Sequence, residues 1–586
     1  MEKWVLVRKG APFNEIAEKF HIHPIIARLI RNRNIVGDEA IDKYLNGTIS
    51  DLYDGMLMKD MHKAVDILIE KIRERKKIRI IGDYDIDGIN ATYILLEGLK
   101  KLGAYVDTDI PDRIKDGYGL NRQLIDKAWT DHVDTIITCD NGIAASEEIM
   151  YGNELGMTII VTDHHEIPYE ETVDGRKEIV PPASAVVDPK QSDCAYPFSE
   201  LCGAAVAYKV IETLFEVLDK DIEEVDYLME NVAIATVGDV MPLVEENRIF
   251  VKQGLEMLGR TNNMGLQALM EVNDIPKDKI SAYHIGFVLG PCLNAAGRLE
   301  TAKKALSLLS SETKEEAMVQ ALELKQTNEQ RKEMTLSAVD DAIELIENSS
   351  IKSDKVLVVY LPNCHESLAG IVAGRIREKY NKPTFVLTKT QEGVKGSGRS
   401  IDSYNMHEAL SMCHMLLTKY GGHQLAAGLS LEEKNIEPLR CMLNQKAELT
   451  DEDLIPKVAI DMQVPFQMIS EELIDQLGKL EPFGRENTKP IFAEKDVEIL
   501  NGRIFESKQN VLRMQVVDAE GTRMNAVYFG EVQRFLDFLV EKYDEETVDG
   551  MLSGRRTGIR ASIAYYPAVN EYMDKKYLQI TISHFQ

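Results

Sequence analysis

The sequence predicts an α/β protein in which a parallel-sheet domain is joined by a long helix to a smaller α/β domain, followed by a β-barrel domain. Between positions 76 and 260, short runs of β-branched residues alternate with helical stretches, which is typical of a parallel sheet covered on both faces. Residues 301–349 are rich in Ala, Leu, Glu and Lys and have the apolar spacing of a long amphipathic helix. From residue 456 onward the apolar segments are short and alternating, which indicates an all-β barrel or sandwich.

Length and composition are those of a globular protein with several domains. The chain has 586 residues, of which 44% are apolar and 28% are charged, and its formal charge of −28 excludes a protein that is basic overall. Its seven cysteines form no Cys-x-x-Cys pair, which indicates a reducing environment and neither structural zinc nor a disulfide framework. The first residues contain no apolar signal core, and no apolar run has the length of a membrane span. We therefore expect a cytoplasmic protein.

The predicted elements divide the chain into five segments. Residues 1–70 have apolar positions at helical spacing and are expected to form a helical segment that packs on the following domain. Residues 71–300 contain the parallel sheet, and residues 301–350 form the helical connector. Residues 351–455 form the second α/β domain, and residues 456–586 form the β-rich domain.

An aspartate follows each of four predicted strands in the first domain. Ligands of parallel sheets bind beyond the carboxyl ends of the strands, so these side chains are expected at one edge of the sheet. The apolar runs 78–81, 135–138, 158–162 and 185–187 are followed, in that order, by Asp83, Asp140, Asp163 and Asp188.

Further carboxylates and imidazoles accompany these strand ends. An acidic turn can simply cap a helix, a histidine pair can simply satisfy hydrogen bonds, and the twelve-residue loop of an EF-hand is absent. Because several such motifs are expected at one edge of one sheet, a metal centre is the better explanation. The additional residues are Asp85 and Asp87 in the turn after the first strand, His164 and His165 after Asp163, and Asp239 at the end of an apolar helix.

Carboxylate and imidazole ligands without a thiolate suit Mn²⁺ or Mg²⁺ better than zinc. The carboxylates are more numerous than one ion needs, so we expect two ions about 3.5–4 Å apart that share a bridging carboxylate. Such a pair activates a water and neutralises a phosphoryl group, which predicts hydrolysis of a phosphoester or phosphoanhydride. A nucleophilic serine in a Gly-x-Ser-x-Gly turn is absent from the sequence.

The triplet Asp-His-His at 163–165 is the signature of the DHH phosphoesterase superfamily, and the sequence resembles that superfamily at 83–88, 140–142 and 238–239 as well. Gly-Gly-His-Gln-Leu-Ala-Ala-Gly at 421–428 resembles its DHHA1 domain. From about residue 50 to 586 the chain is similar to the RecJ family, the bacterial single-strand-specific 5′→3′ DNA exonucleases. The motifs that carry this similarity are at 117–121, 294–299 and 482–484.

The resemblance implies a set of metal ligands. Asp140 would bridge the two ions, and it is counted among the catalytic residues. His165 would lie near the scissile phosphate, either as a donor in the transition state or behind the ligands, and the choice between the two histidines as ligand stays open. The implied ligands of two Mn²⁺ or Mg²⁺ ions are Asp83, Asp85, Asp87, Asp140, His164 and Asp239.

The resemblance also implies substrate contacts. Arg113 and Arg298 would contact substrate phosphates, and Arg298 would also act in catalysis. From the second domain, the 5′-terminal nucleotide would be held by Arg399, Ser400, Gly421, Gly422 and His423.

The β-rich tail resembles an OB fold, which binds single strands by stacking bases on aromatic side chains beside a basic groove. Residues 501–586 contain 11 Lys or Arg and 12 Asp or Glu, so this domain carries little of the chain's negative charge. Its candidate stacking residues are Tyr528, Phe529, Tyr565, Tyr566 and Tyr572, and its candidate phosphate contacts are Arg503, Arg513, Arg523, Lys575 and Lys576.

The resemblance implies a 5′→3′ exonuclease that hydrolyses single-stranded DNA to 5′-mononucleotides by two-metal-ion catalysis, in recombination and repair. It implies a monomer that works beside a single-strand-binding protein and a helicase. An alternative is a DHH phosphodiesterase for short oligonucleotides or cyclic dinucleotides, although such chains are shorter. A catalytically inactive scaffold is disfavoured because every ligand position is filled, and activity on RNA stays open.

Overall fold

Residues 2–172, 175–391, 393–505, 511–572 and 575–586 are described by a computed structural model. The chain divides into two units. One spans Gly47–Leu454, and the other combines residues 455–586 with those before residue 47. Within the described ranges, no helix combines the length and the apolar character that a membrane span requires. All seven cysteines are free.

The strands and helices are numbered along the chain. The strands are β1 (Lys3–Leu6), β2 (Lys77–Ile81), β3 (Tyr105–Asp109), β4 (Thr135–Cys139), β5 (Thr158–Thr162), β6 (Tyr169–Thr172), β7 (Gly175–Glu178), β8 (Ala185–Val187), β9 (Leu357–Tyr360), β10 (Thr384–Thr390), β11 (Gly393–Arg399), β12 (Lys419–Gly422), β13 (Ala426–Leu431), β14 (Lys457–Ile460), β15 (Met462–Gln463), β16 (Phe492–Phe505), β17 (Val511–Val517), β18 (Arg523–Tyr528), β19 (Arg560–Tyr572) and β20 (Lys575–Phe585). The helices are α1 (Phe13–Phe20), α2 (Pro24–Asn32), α3 (Asp38–Asn46), α4 (Met61–Arg73), α5 (Ile86–Lys101), α6 (Arg122–Thr130), α7 (Ser146–Glu154), α8 (Gly203–Val217), α9 (Met229–Gly238), α10 (Glu245–Gly259), α11 (Met264–Val272), α12 (Ala282–His284), α13 (Gly290–Leu299), α14 (Lys303–Leu309), α15 (Lys314–Glu347), α16 (Ala369–Tyr380), α17 (Met406–Met412), α18 (Ile436–Lys446), α19 (Glu471–Gly478), α20 (Val532–Lys542) and α21 (Glu545–Leu552).

The first domain of the unit Gly47–Leu454 is built on a parallel sheet of strand order β3-β2-β4-β5-β8. Alternate side chains of its strands enter two separate cores, because successive residues of a strand point to opposite faces. Helices α4, α5 and α8 cover one face, and α6 and α7 cover the other. The predicted parallel sheet covered on both faces is confirmed, and the carboxyl ends of its strands lie along one edge.

Helix α15 connects the first domain to the second. Its 34 residues correspond to about 50 Å of helix. The first half buries apolar residues in the core of the first domain, and the second half buries them in the second domain. The first set is Ala317, Ala321 and Leu324, and the second set is Ala338, Ala342 and Ile346.

The second domain contains a mixed sheet of order β12-β13-β11-β10-β9. Strands β9 and β10 are parallel, and the other neighbours are antiparallel. The end of α15 and α16 pack on one face, whereas α17 and α18 pack on the other. This is the predicted smaller α/β domain.

The C-terminal domain is a closed barrel with added helices. Strand β16 pairs with both β17 and β19, and this closes the order β16-β17-β18-β20-β19 into a five-stranded barrel. The predicted barrel is confirmed. The expectation of an all-β domain is wrong, because helices α19, α20 and α21 contribute buried residues to its core.

The N-terminal residues belong to this barrel unit. Apolar side chains of α2 and α3 are buried in the same core as the barrel strands, and β1 pairs in parallel with β14. The expectation that residues 1–70 form one segment packed on the following domain is therefore wrong for the part before Gly47. Helical periodicity identifies a face that must be buried, but it does not identify the surface that buries it.

We expect Leu29→Ala, in α2, to lower the free energy of unfolding of the barrel unit by about 2–5 kcal/mol, because Leu29 is fully buried in that core. The two tryptophans lie in different units, so denaturation followed by fluorescence in a Trp129→Phe background reports Trp4 and hence this unit. The matched control is Val36→Ala, at an exposed position in the same segment, which should change stability by less than about 0.5 kcal/mol. An unchanged transition in Leu29→Ala would show that the N-terminal helices do not stabilise the barrel.

Candidate metal centre and substrate cleft

The turn between β2 and α5 holds alternate aspartates with backbone hydrogen bonds. The Asp85 carboxylate caps α5 and accepts from the N–H groups of Asp87 and Gly88 at 3.0 and 3.2 Å. The Asp87 carboxylate accepts from the N–H groups of Gly203 and Ala204, both at 2.7 Å, where α8 begins. Helix N-termini stabilise negative charge, so two helices support an acidic turn that otherwise repels itself.

Asp140, directly after β4, has a left-handed backbone with φ 60°, which is uncommon for a residue other than glycine. A Cβ atom at Gly203 would lie 2.7 Å from the Asp140 Cβ, so α8 can approach this closely only with glycine at its start. The Asn141 side chain fixes the loop by donating to the carbonyls of Ile81 and Cys139 at 3.0 and 2.9 Å.

The predicted ligands come together in groups whose ligand atoms lie within 4.8 Å of one another. Asp140 takes part in two of the groups, which is the arrangement expected of a residue shared between two ions. The groups are Asp83, Asp85 and Asp140; Asp87, His164 and Asp239; and Asp140, His164 and His165.

Burial and mutual repulsion make the ionised form of these carboxylates unfavourable when no cation is bound. Burial, and then the charge of Asp85, hold the pKa of Asp83 well above its usual range. Burial, and then other carboxylates of the centre, also hold the pKa of Asp140 well above its usual range. The same two causes raise the pKa of Asp87 and of Asp239 to about 7. A bound cation removes this penalty.

Two buried atoms at the centre have no hydrogen-bond partner in the described structure: Oδ1 of Asp83 and Nδ1 of His164. Unsatisfied buried polar atoms are rare and call for a partner. Oxygen-rich donors with one imidazole suit Mn²⁺ or Mg²⁺, so the residues present fit these ions.

The two histidines have different surroundings. His164 is buried, with Nε2 3.1 Å from Asp140 Oδ1 and 3.4 Å from Asp87 Oδ2. Burial, and then the charge of His165, lower the pKa of His164, which favours the neutral imidazole that binds metals. Burial also lowers the pKa of His165, but the hydrogen bond to Asp163 and the charges of Asp163 and other carboxylates of the centre together raise that pKa to about 9. His164 is therefore the better ligand, and His165 is the better proton donor.

The strand-end aspartates divide into two kinds. Asp83 and Asp140 join the ligand groups, whereas Asp163 turns its carboxylate toward the backbone N–H of Ile143 and toward Nδ1 of His165, at 2.9 and 2.8 Å. Asp188 is fully buried and accepts from the backbone of Lys190. The edge position was predictable from the strand pattern, but the direction of each side chain was not.

Arginines from both domains lie close to one another beside the centre. The Arg113 guanidinium lies over the Tyr84 ring, 4.6 Å from its centroid, and Nη1 of Arg298 donates to the carbonyl of Ser367 in the second domain at 2.9 Å. Burial, and then the charges of Arg113 and Arg331, lower the pKa of Arg298 to about 10. Burial and Arg113 also lower the pKa of Arg399. A desolvated group of like charges is a site for an anion.

A cavity of about 470 Å³ separates the Tyr84 turn from the sheet of the second domain. Gly421 lines it and belongs to an antiparallel hairpin in which it pairs with Gly428. Ser397 also lines the cavity, whereas Ser400 is buried and its hydroxyl donates to the carbonyl of Tyr404 at 2.7 Å. Gly422 and His423 lie at the exposed end of the hairpin.

In the barrel domain, Tyr528 and Tyr565 are buried in the core, and Phe529 is exposed. Phe505, which was not among the predicted stacking residues, is exposed. The guanidiniums of Arg503 and Arg513 flank its ring at 5.1 and 4.8 Å from the centroid. Arginines beside an exposed ring are typical of a base-stacking surface. The side chain of Tyr572 lies outside the described residues.

Three features of the centre were not predicted from the sequence. These are the N–H groups of Gly203 and Ala204, the role of Tyr118, and the addition of Arg331 to the arginine group. The Tyr118 hydroxyl donates to the carbonyl of Asp140 at 3.2 Å and lies 3.3 Å from the ring nitrogens of His165. Backbone N–H donors cannot be recognised from residue types. Arg331 was not selected because it lies in α15, which the sequence indicates only as a connecting helix.

Comparison with known families assigns the same three domains. The family models that match are the DHH family, N-terminal domain, over residues 77–236; the DHHA1 domain over residues 353–449; and the RecJ OB domain over residues 460–584.

Similar proteins extend over nearly the whole chain. The single-stranded-DNA-specific exonuclease RecJ of Bacillus subtilis is 35% identical over 97% of this chain and 68% of the relative. The protein of the same name from Haemophilus influenzae is 30% identical over 96% of each chain. The crystal structure of RecJ from Thermus thermophilus in complex with Mn²⁺ has a TM-score of 0.81 at 25% identity, and covers all of this chain and 79% of its own. A structure of exonuclease RecJ bound to manganese has a TM-score of 0.58 at 31% identity, over 68% of this chain and 98% of its own.

We expect Mn²⁺ to raise the Tm of the wild-type protein and to have no such effect on Asp140→Asn, because Asp140 belongs to two ligand groups. Asp188→Asn is the matched control: it also changes a buried strand-end aspartate, but one outside those groups, and it should keep the Mn²⁺ effect. Thermal unfolding with and without Mn²⁺ measures both. An equal Mn²⁺ effect in the two variants would exclude Asp140 as a shared ligand.

Proposed function

The chain belongs to the RecJ family of single-stranded-DNA-specific exonucleases, and we propose that it removes 5′-mononucleotides one after another from the 5′ end of a single strand. The enzyme is a metal-dependent exonuclease of single-stranded DNA. The observation that carries the site assignment is the set of candidate ligand groups linked to one another through Asp140 and His164, beside a buried group of arginines.

In this proposal Asp83, Asp85 and Asp140 would hold one Mn²⁺ or Mg²⁺ ion, and Asp87, His164 and Asp239 would hold the other. Asp140 would be shared, because its Oδ1 lies 3.1 Å from Nε2 of His164. When bound, such a pair lowers the pKa of water and neutralises a phosphoryl oxygen. The chain contributes the orientation of the ligands. Gly203 and Ala204 fix the Asp87 carboxylate, and Asn141 fixes the loop that presents Asp140.

His165 is proposed to donate a hydrogen bond or a proton to a phosphoryl oxygen in the transition state. Because Nδ1 bonds Asp163, Nε2 carries the proton that can be donated. Against the effect of burial, the hydrogen bond and charge of Asp163 raise the pKa of His165, which favours the protonated ring. The Tyr118 hydroxyl, 3.3 Å from the ring, limits the rotation of His165.

Arg113, Arg298 and Arg399 are proposed to bind the phosphates at the 5′ end. Their mutual repulsion in a desolvated place is relieved by an anion, and a guanidinium binds phosphate through two hydrogen bonds. Gly421 lines the cavity and has no side chain, so the terminal nucleotide could approach its backbone closely. Ser397 takes the place that the sequence analysis gave to Ser400, since Ser397 lines the cavity.

The cavity of about 470 Å³ between the two domains is proposed to select single strands by steric exclusion of a duplex. We place Phe505, with Arg503 and Arg513, on the path of the strand across the barrel domain. A monomer in the cytoplasm that acts with a single-strand-binding protein and a helicase, in recombination and repair, fits this activity.

His164→Gln and His165→Gln separate the two histidine roles. We expect His164→Gln to lose the Mn²⁺-induced rise in Tm together with activity. His165→Gln should keep that rise and lose about 10²–10³-fold in kcat, because it removes a transition-state donor and no ligand. Mn²⁺ titrations followed by thermal unfolding, and steady-state kinetics on a single strand, give the two readouts. Loss of the Mn²⁺ effect in both variants would reject this division of roles.

The polarity and the substrate class are tested with three substrates in Mn²⁺: a long 5′-phosphorylated single strand, the matching blunt duplex and a dinucleotide. We expect rapid release of 5′-mononucleotides from the long strand labelled at its 5′ end, with the duplex left intact. Preference for the dinucleotide, with little action on the long strand, would instead assign the protein to the small-substrate phosphodiesterases.

A further inference from the structure

A stacked pair of aromatic side chains projects from the segment before α13. Tyr283 and Phe287 are four residues apart, with ring centroids 4.9 Å apart and planes inclined by 26°. They are 63% and 67% exposed, and Phe287 has the largest exposed fraction of any large apolar side chain in the described part of the chain. Exposed aromatic surface in a folded protein marks an interaction site when it forms a patch.

The backbone at this pair is a π-helix, Ile285–Leu289, which lies between α12 and α13. Such turns are rare and are found frequently at functional sites. A π-helix has more residues per turn than an α-helix, so it changes the direction in which the side chains project.

The same segment packs against the elements that carry the proposed ligands. A Cβ atom at Gly286 would lie 3.7 Å from Cγ1 of Val237, two residues before Asp239. A Cβ atom at Gly290 would lie 3.0 Å from Cδ1 of Ile86, between Asp85 and Asp87 in sequence. The aromatic pair therefore has a fixed position relative to the metal centre.

Helix α13 connects the pair to the proposed phosphate contacts. Its Asn294 Oδ1 accepts from the backbone N–H of Ile86 at 2.9 Å, and Arg298 lies at its far end. Phe287 and Arg298 are eleven positions apart, which corresponds to about 16 Å of helix. A strand that advances at least 3.4 Å per nucleotide covers this distance in at most about five nucleotides.

Two lysines that precede the pair in sequence are compatible with a polyanion. Lys277 and Lys279 are exposed, and within the residues that the structure describes neither is paired with a carboxylate, although Asp278 lies between them. The chain has a formal charge of −28, so acidic side chains outnumber the lysines and arginines with which they could pair.

We propose that Tyr283 and Phe287 form a stacking surface for bases of the single strand on the 3′ side of the scissile phosphate. This side follows because Arg298, at the other end of α13, faces the second domain, where the 5′ end is proposed to bind. The inference rests on the proposed function. A base presents a flat π face that matches an exposed ring, and stacking of this kind tolerates every base.

The test compares two labelled strands of twelve nucleotides in EDTA, which prevents hydrolysis. One is all thymidine, and the other is abasic beyond its two 5′-terminal nucleotides. We expect the double variant Tyr283→Ala with Phe287→Ala to bind the thymidine strand about 5- to 100-fold more weakly than the wild-type protein, by fluorescence anisotropy. Its affinity for the abasic strand should change less than about twofold, because the phosphates are the same.

The ring-retaining double variant Tyr283→Phe with Phe287→Tyr is the control, and it should bind both strands as the wild-type protein does. An unchanged Tm and an unchanged Mn²⁺ effect on Tm show that both variants are folded. Unchanged binding of thymidine in the alanine variant, an equal loss on both strands, or an equal loss in the ring-retaining variant would each overturn the stacking surface.

Hydrolysis separates this inference from the proposed function. With Mn²⁺, the alanine variant should have a raised KM on the twelve-nucleotide strand and an unchanged kcat/KM on a trinucleotide, which is too short to reach the rings. If the wild-type protein binds the thymidine strand but does not hydrolyse it, the exonuclease function is rejected. The stacking surface is then still tested by the binding measurements. A wild-type protein that binds neither strand would overturn the stacking surface itself.

Discussion

The mutual repulsion of buried carboxylates is the constraint around which this structure is arranged. A parallel sheet brings the carboxyl ends of its strands to one edge, and here Asp83 and Asp140 follow two adjacent strands. Burial raises the cost of their charges, because little water remains to screen them. Such a group is stable in its charged form only with cations bound, and metal binding therefore becomes a property of the fold as a whole.

The surrounding elements reduce the same cost by other means. The start of α8 directs two N–H groups at Asp87, and Asp85 caps α5, so helix dipoles act on two of the carboxylates. Gly203 lets α8 approach the Asp140 side chain, which a larger residue at its start would displace. The hydrogen bond and charge of Asp163 raise the pKa of His165, beside the candidate ligands. Each of these interactions also fixes an orientation, so stabilisation and preorganisation have the same origin.

The arginine group presents the opposite electrostatic problem. Arg298 and Arg399 lose solvent where α13 meets the second domain, and their neighbours are largely other arginines. Helix α15 is shared by the cores of both domains and holds this group beside the acidic centre. The acidic part needs cations and the basic part needs an anion. A phosphodiester with divalent ions satisfies both requirements, which is a physical reason for the match between this site and a nuclease.

The two α/β domains, the presence of a barrel and the composition of the acidic centre were predictable from the amino-acid sequence, whereas the helices within the barrel core were not. Alternating apolar runs require a parallel sheet, and an aspartate after each run places acidic side chains at its edge whatever the details of packing. The difference between Asp140, which joins the ligands, and Asp188, which does not, was decided by the tertiary structure, because strand position fixes an edge and leaves the side-chain direction to neighbouring helices. The same holds for the distinction between His164 and His165, which depends on the contact with Asp163. The packing of the N-terminal helices on the barrel was also not predictable from the sequence. An amphipathic helix shows which of its faces must be buried, but it does not identify the surface on which that face packs.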